Sequence, residues 1–237
     1  MFEELSPEER VKLWNAVGEF ITDDRNTIYD DILEYRTRHF TIALEDIYQE
    51  HNAGALARTA ECYGIQDVHI MKNHNEFKIA RGMAKGARSW LDFHKYDGEN
   101  NIAECLSACR EKGYQIVATT PHKKAFPLQE FDITKKSAFF FGTEKNGLHQ
   151  TILEQADEFI YVPIYGVTES YNVSISSAII LHELCNKLHK SDLDWKLSED
   201  EQVTKKLEWA YETLKKSNVL YRTMLKDINP LISLRPK

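Results

Sequence analysis

The sequence lacks most of the signatures by which common enzyme classes are identified. It holds only four cysteines, Cys62, Cys105, Cys109 and Cys185, and no two of them form a CxxC pair. Its nine histidines form no HExxH pattern, so no metal is expected. Cys105 and Cys109 stand at helical spacing and, like Cys185, are expected to pack in a core. No GxGxxG follows a strand, which leaves a nicotinamide dehydrogenase or a Rossmann-type methyltransferase without its phosphate or cofactor turn. No GxSxG supports a serine hydrolase. No apolar run approaches membrane-spanning length, and the opening MFEELSPEER is acidic rather than signal-like. A cytoplasmic protein with no membrane partner is expected. Internal repeats and low-complexity segments are also missing.

What is present is enough apolar sequence for one sizeable core with appended helices: 237 residues, 42% hydrophobic and 28% charged. The formal net charge of −7 argues mildly against nucleic acid as a partner. Its distribution is more informative. Residues 1–36 carry ten acids against four bases, and residues 204–237 eight bases against three acids. Two readings fit this asymmetry: an anion-binding tail, or two chain ends that pair with each other.

Residues 7–22 read as an amphipathic helix, with Ser6 as cap, Pro7 in first position and Glu9 closing a capping box. A short helix over 26–36 follows, and HFTIALE from His39 reads as the first strand. Asn52–Tyr63 is an alanine-rich helix for which Asn52 can serve as cap, and Val68–Met71 is a strand. Leu91–Lys95 reads as a strand, 99–112 as a helix and Tyr114–Thr119 as a buried strand. Ser137 starts another apolar strand, followed by a helix to about Gln155. The run from Phe159 to Pro163 is β-like, and Asn172 opens an apolar helix with Val173, Ile175, Ala178, Ile179 and Leu181 as core contacts. Residues 198–217 form a last, charged helix. The β, α, β, α order with continuous apolar strands implies an α/β fold, a mostly parallel sheet with helices on both faces. The organisation expected is a helical extension over 1–36, the sheet domain over 37–190 and a second helical extension over 191–237.

Between strands two and three, Lys78, Arg81, Lys85 and Arg88 fall on one face if the segment is helical, and no acid interrupts Phe77–Trp90. Gly82 and Gly86 weaken the helix. The four cations form either a solvated surface face or a phosphate-binding, hence RNA-binding, stripe.

Three strand–helix junctions carry the chemistry. NAGALAR holds Asn52 and Arg58 among small residues. FFFGTEKNGL places Glu144 between Gly142 and Gly147, whose backbone freedom suits tight turns. VPIYGVTESYNVSISSAIIL holds Gly166, Ser170, Tyr171 and Asn172, with a helix N-terminus suited to polar or anionic ligands. Together, in this order, they resemble the SpoU-type branch of the SPOUT superfamily, the trefoil-knot RNA 2′-O-ribose methyltransferases, over roughly residues 38–188. Within that branch the chain length, the short helical N-terminus, GARSW, the FDIT region and the C-terminal helix look most like the tRNA guanosine-18 enzymes.

The resemblance implies a C-terminal deep trefoil knot, an exception to the rule against threading. It implies S-adenosylmethionine as cofactor, bent in that knot against Thr119, Gly142, Val162, Ile164, Gly166 and Tyr171. It implies a homodimer in which Arg58 of one subunit completes the other's site. The catalytic set carried over is Arg58, Asn52, Glu144, Ser170 and Asn172. Two positions depart from the pattern. Tyr171 replaces the usual leucine, which bears on the adenosine wall, and the N-terminal extension is acidic where tRNA enzymes of the family often have a basic one.

Only RNA offers a 2′-hydroxyl, so the reaction selects the substrate class. Arg58 is expected to act on that hydroxyl. A guanidinium rarely loses its proton, so a nearby RNA phosphate can accept it while Arg58 steadies the developing alkoxide. A structural ion pair is the bland role for Arg58, helix capping for Asn52, Ser170 and Asn172, and loop support for Glu144. Trp195 and Trp209 either stack bases or pack the C-terminal helix. The functions to separate are a tRNA methyltransferase at the D-loop guanosine, a ribosomal RNA relative, a non-catalytic RNA-binding protein on the same fold, and a small-molecule α/β enzyme.

Overall fold

Phe139 and Phe141 are buried with one set of core residues and Ala138 and Phe140 with another, so a single strand serves both faces of a sheet. The computed structural model describes residues 2–47, 50–72, 87–121, 125–143 and 146–215. In chain order the elements are α1 (Pro7–Gly18), α2 (Asp23–Leu33), β1 (Phe40–Glu45), α3 (Glu50–Cys62), β2 (Asp67–Lys72), β3 (Asp92–Asp97) and α4 (Asn101–Glu111). They continue with β4 (Gln115–Thr119), β5 (Phe126–Pro127), β6 (Ser137–Phe141), α5 (Gln150–Gln155), β7 (Glu158–Tyr161), α6 (Val173–His189) and α7 (Glu199–Lys215). Two compact units result, one from residues 37–195 and one from 1–36 with 196 onward.

The larger unit holds a seven-stranded sheet in the order β3-β2-β1-β6-β4-β7-β5, with every pairing parallel. Parallel strands need crossovers, and here the helices that make them cover both faces. Leu56, Ala57 and Ala60 of α3 and Ile180, Leu181 and Leu184 of α6 pack with Ile42, Leu44 and Phe139. Cys105 and Cys109 of α4 and Ile152 of α5 pack with Ala43, Ile116 and Phe140 on the opposite side. The expected α/β architecture is the one found.

At the amino ends of β1–β3, Arg38 is ion-paired to Asp67 and to Asp92, and His94 Nε2 lies 2.6 Å from the other Asp67 oxygen. Burial alone would raise the Asp67 pKa. The His94 hydrogen bond and the Arg38 guanidinium outweigh it and hold the carboxyl well below its usual range.

Several elements differ from their sequence reading. The second helix begins at Asp23, not 26, because Thr22 accepts from the Arg25 N–H and Asp23 and Asp24 suit the helix N-terminus. The first helix, capped as expected by Ser6 and Glu9, ends at Gly18 rather than 22. Asn52 is not a cap: α3 starts two residues earlier, at Glu50. Ile175 is 50% exposed rather than core. The buried positions of α6 are Val173, Ser177, Ile180, Leu181, Leu184, Cys185 and Leu188, and 100° per residue turns Ile175 away from them. The two-residue edge strand β5 was not anticipated. Lys78, Arg81 and Lys85 lie outside the described residues. So does the side chain of Arg88, whose backbone belongs to a 3-10 turn over Ala87–Ser89.

In the smaller unit Trp209 of α7 is buried edge-on against Tyr29 of α2, with the Arg36 guanidinium over its ring. Trp195, in the larger unit, packs against the core and tilts onto His189. Both indoles therefore pack. The chain ends are also ion-paired: Lys196 with Glu34, Lys206 with Asp30, and Arg10 with Asp200. Of these three pairs, Lys206 with Asp30 joins a base of 204–237 to an acid of 1–36, so among the described residues the pairing explanation of the charge asymmetry rests on that contact. Among them, no helix is long and apolar enough to cross a membrane.

Candidate active site

Neighbouring strands β6, β4 and β7 all run in one direction, so their carboxyl ends open on the same edge of the sheet. Ligands bind at that edge in open α/β sheets. Residues from the segments leaving these strands, among 119–121, 141–143, 146–147 and 160–173, line one cavity of about 410 Å³. That volume lies within the roughly 300–1,000 Å³ range of small-molecule sites.

Each wall has a local cause. Thr119 Oγ1 donates to the Phe140 carbonyl at 2.7 Å, tying the end of β4 to β6. Gly142 follows β6 where no side chain fits: a Cβ there would lie 2.3 Å from the Gly147 carbonyl carbon and 2.5 Å from Leu148 N. Thr143 and Gly147 exchange backbone hydrogen bonds at 2.9 and 3.1 Å, and Gly147 turns with φ +68°. Beyond that loop the His149 N–H donates to Glu45 Oε2 at 2.8 Å. Burial pushes the Glu45 pKa up, and this N–H opposes the rise. Asn172 caps α6, with its Oδ1 accepting from Ser174 N at 2.9 Å. Its Nδ2 donates to Asn52 Oδ1 at 3.2 Å. Tyr171 Oη lies 3.4 Å from the Pro163 carbonyl and closes the 163–171 loop on itself.

Of the residues proposed for the cofactor, Thr119, Gly142, Val162, Ile164 and Tyr171 line the cavity, as does Ser170; Gly166 does not. Asn52 and Asn172 stand behind its rim, paired to each other. Glu144 lies outside the described residues. Thr120, Pro121, Asn146, Glu169 and Ser176 also line the cavity and had not been assigned a role. Thr120 and Glu169 adjoin assigned residues, Thr119 and Ser170, and that adjacency is the available signal for them.

Arg58 is not among the residues that line this cavity. The Asn52–Asn172 contact and the Tyr63–His182 hydrogen bond show α3 and α6 lying side by side and running the same way. Arg58, six residues after Asn52, is about 9 Å further along the α3 axis, level with the 176–180 stretch of α6. It is exposed, and among the described residues it has neither an ion-pair nor a hydrogen-bond partner. The structural ion pair considered for it is not present there.

The cavity suits a sulfonium nucleoside. Ile160, Val162, Ile164, Val173 and Ile180 offer an apolar wall to a flat base, hydroxyls and main chain face its polar groups, and Glu169 supplies a carboxylate to a cation. The close Gly142–Gly147 backbone approach keeps the space clear of side chains.

Comparison with known proteins agrees with this geometry. Residues 39–182 match the SpoU rRNA Methylase family. A Borreliella burgdorferi protein named tRNA (guanosine(18)-2′-O)-methyltransferase is 35% identical over 205 residues, 86% of this chain and 93% of that protein. An Aquifex aeolicus protein of the same name is 31% identical over 77% of this chain and 86% of its own length. Among solved structures, the A. aeolicus TrmH/SpoU tRNA modifying enzyme superposes with a TM-score of 0.72 at 30% identity, covering 81% of this chain and 98% of that one.

Proposed function

This chain belongs to the SpoU rRNA methylase family, and from that premise we propose that it methylates the ribose 2′-hydroxyl of guanosine 18 in tRNA, using S-adenosylmethionine. The observation that carries the reading is the convergence of three distant strand ends on one cavity of suitable size and lining. When bound, S-adenosylmethionine supplies a methyl electrophile whose sulfur departs as a neutral thioether.

The protein's own task is placement and charge. Thr119, Gly142, Val162, Ile164 and Tyr171 hold the donor. Asn172 fixes the start of α6 and, through Asn52, the start of α3, so that two helices and the donor loop move as one. Ser170 borders the same pocket, and Glu144 keeps the catalytic role that the family resemblance implies. Arg58 binds the ribose oxygen and an adjacent phosphate. Its guanidinium stays charged, so it stabilises the oxygen as negative charge develops while the phosphate takes the proton.

Arg58 is exposed and does not line its own chain's cavity, which supports a homodimer with the residue acting in trans. Exposed Tyr165, Val167 and Ile175 offer apolar surface for such an interface. A deep C-terminal trefoil knot accords with the likeness to the A. aeolicus TrmH/SpoU tRNA modifying enzyme. The stripe Lys78, Arg81, Lys85 and Arg88 is assigned to RNA phosphates, and each phosphate contact should add about −0.9 to the salt slope for a duplex.

The decisive experiment incubates the protein with bulk tRNA and labelled S-adenosylmethionine, with ribosomal RNA as competitor, and maps ribose methylation. A 2′-O-methyl at guanosine 18 is expected. Methylation confined to ribosomal RNA would replace the substrate, and no transfer with intact cofactor binding would make the protein a binding module. Action in trans is tested by mixing Arg58→Ala and Gly142→Val chains and letting subunits exchange. Activity should recover to about a quarter of wild type, since half the dimers are mixed and each has one complete site. No recovery despite exchange places Arg58 in cis.

A further inference from the structure

On the face of the sheet opposite α3 and α6, away from the cavity, four donor side chains meet that methyl transfer does not use. Cys105 and Cys109 are one helical turn apart on α4 and share its buried face. His69 of β2 points to that face, as does Tyr96 of the adjoining parallel strand β3. His69, Cys105 and Cys109 are all 0% exposed. Their ligand atoms lie within 4.8 Å of one another. His69 Nδ1 is 4.0 Å from Cys109 Sγ and 2.9 Å from Tyr96 Oη. His69 Nε2 is buried with no hydrogen-bond partner among the described residues, which do not hold this imidazole by a complete set of bonds.

We propose that Cys105, Cys109 and His69, with the Tyr96 hydroxyl in fourth position, form a structural site for a thiophilic divalent cation, zinc being the ion to test.

The donor set is the argument. Two thiolates and an imidazole are the ligands of Zn²⁺, at about 2.3 Å for sulfur and 2.0 Å for nitrogen, in a tetrahedron. Such a tetrahedron separates sulfur from nitrogen by roughly 3.5 Å and sulfur from sulfur by roughly 3.8 Å, so closing the site asks for shifts of about 1 Å or less. Charge also balances: two thiolates cancel a dication, and a neutral cluster is what an apolar core tolerates. Soft sulfur ligands exclude Mg²⁺ and Ca²⁺. The ion would bridge α4 to β2 and β3, and would load as the chain folds, releasing thiol protons. The sequence carries no spacing motif for it, because the ligands come from a helix and two strands.

The test uses the full-length protein purified from zinc-supplemented cells without chelator or affinity metal. Elemental analysis should find about one zinc per chain. Replacing it with Co²⁺ should give the intense near-ultraviolet thiolate charge-transfer band and strong visible bands of a tetrahedral site. Zinc added back to chelated protein should raise the melting temperature by several degrees. The double variant Cys105→Ala/Cys109→Ala should lose all three signals, while Cys62→Ala, at an exposed cysteine, keeps them. Should the double variant fail to fold, Tyr96→Phe and His69→Gln are read instead, by weakened Co²⁺ affinity. Wild-type protein that is free of zinc, gives no thiolate–cobalt band and melts independently of zinc overturns the site, as does zinc retained in full by the double variant.

Discussion

At the scale of single residues, glycine and asparagine matter more than the titratable groups. Gly142→Ala places a methyl against the Gly147 carbonyl, backbone that cannot rotate away. The loop must open, so S-adenosylmethionine binding measured by calorimetry should fall below detection while far-ultraviolet circular dichroism is retained. Asn172 separates two duties. Asn172→Ala removes a helix cap and should cost about 1 kcal/mol in chemical denaturation. Asn172→Asp keeps the acceptor for Ser174 N but loses the Nδ2 donor to Asn52, so it should preserve most stability and lose methyl transfer. Equal stability loss in both variants contradicts this division. The glycines were legible because a glycine at a strand end signals a close backbone approach. The partner of Asn52 was not, because no local pattern reports a residue 120 positions away.

At the scale of elements, the buried ion-pair cluster fastens the amino ends of β1, β2 and β3. Asp67 has a folded pKa below its unfolded value of about 3.9, so its stabilisation is complete above that pH and is lost as pH falls towards the folded value. The denaturation midpoint should therefore fall progressively as pH drops below about 4, and the fall should shrink in Asp67→Asn. That variant leaves Arg38 facing Asp92 alone and should lose about 3–5 kcal/mol at neutral pH. Long apolar strands such as Ser137–Phe141 were readable as buried parallel strands because both their faces are covered. The edge strand Phe126–Pro127 was not, since two residues carry no periodicity. Ile175 was misread because hydrophobic content, rather than its angular position on α6, was taken as the guide.

At the scale of the whole molecule, the first and last segments are one structural unit. Deleting residues 1–36 strips the apolar partners from Trp209 and its neighbours on α7 and removes the acids that pair with Lys196 and Lys206. The deletion should give an aggregating protein, seen as loss of soluble material in light scattering. Trp209→Ala should cost about 3–5 kcal/mol without changing cofactor affinity. The opposite charges of the two ends were plain in the sequence, but only the fold shows how far they cancel. The order of the strands has one more consequence. Because α6 closes the donor loop and settles beside α3, a ribosome must release the chain past His189 before any pocket exists. A protein assembled that late, through contacts of such long range, is slow to mature. A half-made copy therefore offers no cavity to any ligand.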